Sequence, residues 1–182
     1  MNYPSFLIAS TLTLLTACGG DTMSGADGGF ITSTCPGPGC TLSGSNATCA
    51  SGYACTIPTA DSSNVTCGAM SRCAGTCGAS CDVDCESGAT CEITVGDSSS
   101  SECDDALCDV TGGNSTSYTC SNGADCTVSM GESSSATCQT GSTCTFVCRS
   151  SCGVECRDTS TCLVQCDGDA MPREFAEAAS CE

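Results

Sequence analysis

Residues 120–144 read CSNGADCTVSMGESSSATCQTGSTC, and their spacing decides the fold. Cys120 and Cys138 lie 18 residues apart, and each is followed six residues later by a second cysteine, Cys126 and Cys144. Extended outward, the same register starts repeats at Cys49, Cys67, Cys85, Cys103, Cys120, Cys138 and Cys156, with one step of 17 and the others of 18. The second cysteine recurs at Cys55, Cys73, Cys91, Cys126, Cys144 and Cys162, and at Cys108 only five residues on, which absorbs the deletion. A fixed period of this kind marks a stacked repeat architecture.

Within the repeat, Ile57, Gly75, Ile93, Val110, Val128, Phe146 and Val164 stand two residues after the second cysteine, and two further come Thr59, Cys77, Val95, Gly112, Met130, Cys148 and Cys166. Alternate residues thus share a buried face, the period of a strand. Val65-Thr66-Cys67, Val83-Asp84-Cys85 and Val154-Glu155-Cys156 carry the same alternation into the next repeat and imply a second strand. Gly52, Gly88, Gly123 and Gly141 at the fourth position suit a left-handed turn. The other corner is polar, as in Asp97-Ser98-Ser99. Two strands and two turns in 18 residues describe one coil of an all-β, disulfide-stapled β-solenoid, with an irregular disulfide-rich domain as the alternative. Some eight coils are expected, Cys35-PGPG-Cys40 opening the series as a shortened one.

Four-residue spacing in Cys73, Cys77, Cys81 and Cys85, and in Cys144, Cys148, Cys152 and Cys156, could also line one helical face. The intervening AGT, GAS and DVD, or TFV, RSS and GVE, contain few helix formers and no cap. The tail Met171–Ala179 is different, and its Ala and Glu favour a short helix pinned over the last coil by Cys166 and Cys181.

Composition explains the need for crosslinks. Leu, Ile, Val and Phe total 23 of 182 residues and the net charge is −17, values that ordinarily predict disorder. The 23 cysteines must replace apolar burial. An odd count leaves one over, and Cys18 is the outlier in both position and context. The other 22 close without remainder when each pairs with its sequence neighbour: 35–40, 49–55, 67–73, 77–81, 85–91, 103–108, 120–126, 138–144, 148–152, 156–162 and 166–181. Pairing between coils remains the alternative.

Residues 6–15, FLIASTLTLL, form an apolar run of signal-peptide length. It ends in Leu15-Thr16-Ala17-Cys18, which resembles the lipobox of bacterial lipoproteins. That resemblance implies removal of residues 1–17, diacylglycerol on Cys18 and, since Gly19 follows rather than Asp, the outer membrane or cell surface. Residues 18–34 then read as a flexible tether, 35–166 as the repeats and 167–182 as a cap.

The chain has no His, Trp or Lys, and its only cations are Arg72, Arg149, Arg157 and Arg173. Ser-His and Cys-His nucleophile pairs, Schiff bases and phosphate-loop lysines are therefore excluded. No nucleic-acid partner is expected for so acidic a chain. Asp104 and Asp105 are the nearest carboxylate pair for glycoside chemistry. Asp82, Asp84 and Glu86, or Asp167 and Asp169, offer hard oxygens for calcium without a twelve-residue calcium loop. Thiolate metal sites in the four-cysteine runs are a further alternative.

The Cys-x5-Cys bridge in each small, Thr- and Ser-rich coil also resembles insect β-helical antifreeze proteins. Their Thr-x-Thr ladder would fall on Ala54/Thr56, Arg72/Ala74, Thr90/Glu92, Leu107/Asp109, Asp125/Thr127, Thr143/Thr145 and Thr161/Leu163, and only Thr143/Thr145 fits. Taken together, the residues lead us to expect a non-enzymatic, lipid-anchored structural or adhesive rod with no cofactor. Its partner is the membrane through Cys18, with a surface polymer or protein partner unidentified, no small-molecule substrate evident, and metal, ice or polysaccharide binding as alternatives.

Overall fold

The computed structural model describes residues 35, 37–58 and 61–181. They form a solenoid of seven coils and no helix, in which each turn contributes one strand to each of two sheets. One sheet has nine strands, stacking Asn46–Cys49, Asn64–Cys67, Asp82–Cys85, Ser100–Asp104, Ser117–Ser121, Ser135–Cys138 and Cys152–Cys156 in parallel. The other has eight, stacking Ala54–Ile57, Arg72–Cys77, Thr90–Val95, Leu107–Gly112, Asp125–Met130, Thr143–Cys148 and Thr161–Cys166. Inward and outward side chains alternate along every coil, as in Asp125–Met130, where Cys126, Val128 and Met130 are buried. The period of two thus turns the sequence columns into core and surface.

Register places like on like. Cys49, Cys67, Cys85, Cys103, Cys120, Cys138 and Cys156 stack in one sheet. Cys55, Cys73, Cys91, Cys108, Cys126, Cys144 and Cys162 do so in the other. Seven disulfides join the two columns across one corner, with Cα–Cα distances from 5.8 to 6.6 Å. Their sulfurs form a ladder along the interior, every cysteine of it between 0 % and 5 % exposed. Cys77–Cys81 and Cys148–Cys152 close the opposite corner of the second and sixth coils. Other coils carry buried hydroxyls there instead: Ser63, Ser99, Thr116 and Ser134. Ser99 Oγ accepts the Cys81 amide at 3.0 Å, and Ser134 Oγ accepts that of Thr116 at 3.2 Å.

Both corners need left-handed backbone. Gly52, Gly88, Gly123 and Gly141 have φ of +77°, +72°, +86° and +75°, as their position in the repeat predicts. At the polar corner the same conformation falls on Ser62, Ser80, Ser98, Ser115, Ser133 and Ser151, φ +52° to +58°, an assignment the sequence analysis did not make. Its signal is present as an unbroken column of serines at the repeat spacing.

The ends depart from expectation. Cys40–Ser43 does not form an eighth coil; it runs antiparallel to Asn46–Cys49, and the Cys35–Cys40 disulfide fastens the loop before it. The tail is not a helix either. Arg173–Phe175 pairs antiparallel with Thr161–Cys166, and Ala178–Cys181 with Cys152–Cys156, closed by Cys166–Cys181. A free helix this short is marginal in water, whereas the last coil offers two rows of unpaired amides and carbonyls. Satisfying those rows outweighs the helical preference of Ala and Glu.

One coil is packed around an aromatic ring. Tyr118 occupies the inward column held elsewhere by Ala47, Val65, Val83, Ser101, Ala136 and Val154, and its phenol reaches the position that a Cβ on Gly112 would take. Gly112 aligns with Val95, so a small residue in one sheet accommodates the large one in the other. Gly112→Ala is expected to destabilise the fold by about 1–3 kcal/mol through overpacking. In a Tyr118→Val background the same substitution should cost much less, a coupling measurable by denaturant melts of the four proteins in a double-mutant cycle.

Candidate interaction surface

The repeats leave two outward sheet faces and two turn edges. On the nine-stranded sheet the outward columns run Asn46, Asn64, Asp82, Ser100, Ser117, Ser135 and Thr48, Thr66, Asp84, Glu102, Thr119, Thr137. A shallow groove of about 430 Å³ crosses this face at the second to fifth coils, lined by Asn64, Asp82, Asp84, Ser100, Glu102 and Thr119 among others. A second, of about 300 Å³, lies on the other sheet over Thr76, Glu92, Thr94, Asp109 and Thr111. Both are polar, open depressions without an aromatic platform.

Charge is concentrated at the waist. Between Arg72 and Arg149 the chain has eleven carboxylates and no cation. The two ion pairs among the described residues, Arg157–Glu155 at 2.6 Å and Arg173–Asp169 at 2.8 Å, both lie toward the C-terminal end. Several waist carboxylates instead take hydroxyl and amide donors from a neighbouring coil. Ser87 Oγ donates to Asp105 at 2.6 Å, Ser100 Oγ to Asp82, and Ser121 Oγ and Asn122 Nδ2 to Asp104. At the polar corner Asp61 Oδ1 accepts the Ala79 amide at 2.9 Å, Asp97 Oδ1 that of Asn114 at 2.7 Å, and Asn114 Oδ1 that of Glu132 at 2.9 Å.

These contacts account for Asp82, Asp104 and Asp105 among the residues singled out as candidates. Asp104 and Asp105 are each engaged with turn side chains rather than set across a shared cleft. Asp169 accepts the Cys166 amide at 3.3 Å besides pairing with Arg173. No three carboxylates converge within metal-ligand reach among the described residues; the clusters that do converge are all cysteine. Each of those cysteines is in a disulfide, and a thiolate, not a disulfide sulfur, is the metal ligand. The four-cysteine run at 73–85 is divided among three bonds, 67–73, 77–81 and 85–91, and the run at 144–156 likewise among 138–144, 148–152 and 156–162. The columns Ala54/Thr56 to Thr161/Leu163 lie on the outward face of the eight-stranded sheet, where they form no uniform ladder. Cys18 and the tether lie outside the described residues.

Comparison with protein families, with characterised proteins and with solved structures finds no match to this chain.

Asp84 records the electrostatic cost of the waist. Partial burial first, then Glu86 and Asp104, raise its pKa above the usual carboxylate value. By register it also faces Glu102 across the ladder. Because the folded state holds this proton more tightly than the unfolded chain, the penalty is full at neutral pH and is relieved as pH falls through the raised value. Asp84→Asn is therefore expected to raise the melting temperature at pH 7, and the difference from the parent should shrink as the pH is lowered toward 4. Thermal melts at low ionic strength across that range test it; an advantage that persists unchanged at low pH would contradict this electrostatic origin.

Proposed function

We propose that this chain is a bacterial surface lipoprotein, anchored through acylated Cys18 and carrying a rigid, acidic solenoid that serves as a structural or adhesive rod rather than as a catalyst. The observation that carries the reading is the pairing of Leu15-Thr16-Ala17-Cys18 with 22 further cysteines of even count and regular period. Acylation of Cys18 uses the one cysteine outside the eleven disulfides of the solenoid. Supporting it, the two surface grooves are open and lined mainly by polar residues, and Asp82, Asp104 and Asp105 are held by neighbouring hydroxyls rather than directed at a common point.

Several properties follow from such a rod. Its short crosslinked loops restrict the unfolded chain, each by about 2–3 kcal/mol on a chain-entropy estimate that is not additive. Its negative charge keeps neighbouring copies apart and holds the domain off an anionic lipid surface.

Intact mass of the mature protein tests the reading. Before reduction no cysteine should alkylate; after reduction the mass should rise by 22 adducts, with a diacylglycerol modification at the new N-terminus. Cys18→Ala should abolish lipid labelling and move the protein from the membrane fraction to the soluble fraction. Retention of the Cys18→Ala protein in the membrane without lipid would overturn the anchor. An adhesive role predicts saturable binding of the fluorescent soluble rod to cells or surface polysaccharide, and a passive structural role predicts none.

A further inference from the structure

The eight-stranded sheet ends, on its N-terminal side, in a strand with no neighbour. Arg72 N donates to Tyr53 O at 2.8 Å, so in the parallel ladder with Arg72–Cys77 it is Tyr53, Cys55 and Ile57 that turn their amides and carbonyls to the next coil. Those of Ala54 and Thr56 point the other way, off the end of the sheet. What lies there is the loop before the opening strand. Cys35 Sγ is 3.7 Å from Thr56 O, a Cβ on Gly37 would stand 3.2 Å from Ala54 O, and a Cβ on Gly39 would run into the ring of Tyr53. The loop thus passes antiparallel along the edge. Its described residues donate no backbone amide to Ala54 or Thr56, and Pro38 has none to donate. It covers the edge without pairing with it.

This edge lacks the devices that keep strand edges apart. At the other end of the same sheet the outermost strand carries Arg173 and Glu174, both exposed, whereas Ala54–Ile57 has neither a charge nor a proline. Charge also favours approach here. Residues 35–72 contain one carboxylate, Asp61, and one cation, Arg72, in a chain of net charge −17, and Leu42 and Tyr53 are exposed at this end. The fastening of the loop is accessible: Cys35 and Cys40 are both partly exposed, whereas no cysteine of the seven corner bonds is more than 5 % exposed. We propose that the Cys35–Cys40 loop is a releasable guard, and that its release lets Ala54–Ile57 pair antiparallel with the same strand of a second copy. Ala54 then stands opposite Thr56 of the second copy and Thr56 opposite its Ala54, so that the amides and carbonyls left free on both edges bond one another. A small thiol performs the release. Its thiolate bonds to one sulfur of Cys35–Cys40 and expels the other as thiolate; a second thiol then resolves the mixed disulfide, leaving two protein thiols and one small-molecule disulfide.

The test uses the full chain with Cys18→Ala, so that no lipid drives association. Sedimentation velocity over a range of concentrations should find this parent monomeric. Adding Cys35→Ser together with Cys40→Ser, which frees the loop without leaving a thiol, should give a mass that rises with concentration toward that of a dimer. Hydrogen exchange at the amides of Ala54 and Thr56 should slow as the dimer forms. Thr56→Pro in that background removes an outward amide that makes no bond to the next coil, and Thr56→Glu adds a charge to the strand; each should restore the monomer. A guard-free variant that stays monomeric at every concentration overturns the proposal. So does a dimer that persists in both Thr56 variants, because its contact then lies elsewhere. Where the serine variant lacks the β-sheet circular dichroism of the parent, the parent is treated with a small monothiol and alkylated. Adducts confined to Cys35 and Cys40, accompanied by dimerisation, support the guard; a monomer carrying those two adducts, or labelling that reaches the corner cysteines first, overturns it.

Discussion

Everything in this solenoid depends on the row of disulfides that ties its two sheets together at one corner. A chain with 23 Leu, Ile, Val and Phe residues in 182 buries too little apolar surface to offset the entropy of ordering its backbone. Crosslinks act on the other side of that balance by restricting the unfolded chain. They also set the geometry. A disulfide holds its two Cα atoms about 4.4–6.8 Å apart, so the sheets meet closely at that corner and the interior is narrow enough for Ala, Val, Ile and Met to fill. Where one side chain exceeds the available width, as Tyr118 does, the facing sheet has lost its own side chain at Gly112. The same narrowness leaves Tyr118 Oη and Ser101 Oγ buried without a hydrogen-bond partner.

Parallel coils are open at both ends, and each end receives at least one antiparallel strand. An antiparallel strand turns back onto each outermost coil and a disulfide fastens it: Cys35–Cys40 before the first, Cys166–Cys181 after the last. Exposed strand edges are templates for association; the C-terminal segment covers the last strand of both sheets, whereas the opening strand covers only the nine-stranded sheet and leaves Ala54–Ile57 as an edge strand. Pro38, just before the opening strand, contributes no amide to any further pairing.

This division sets how much of the fold is legible in the sequence. The interior repeats with an 18-residue period because every coil must present the same atoms to the coil above and below, so Cys120, Cys126, Val128 and Met130 revealed strands, faces and corners together. The ends have no such constraint. Residues 171–179 carry helix-favouring Ala and Glu, and only the neighbouring unpaired edge, a tertiary feature, makes them strands. The left-handed serines were missed for a different reason: serine has no strong preference for that conformation, so a column of six identical residues gave the position but not the backbone.

Function is harder to read because the outward columns are not periodic. The series Ala54, Arg72, Thr90, Leu107, Asp125, Thr143 and Thr161 shares no chemistry, although every member points outward from the same place in its coil. A ligand with a repeating lattice would need a repeating face, and the inner face shows how faithfully this chain can repeat when packing demands it. What does recur on the surface is a pairing of acid with hydroxyl one coil away: Asp82 with Ser100, Asp105 with Ser87, Asp104 with Ser121. Stacked carboxylates about 4.8 Å apart would repel one another in every coil. Hydroxyl donors stand opposite some of the waist carboxylates, while like charges face one another at Asp84 and Glu102 in one sheet and at Glu92 and Asp109 in the other. These pairings offset part of the repulsion among the waist carboxylates.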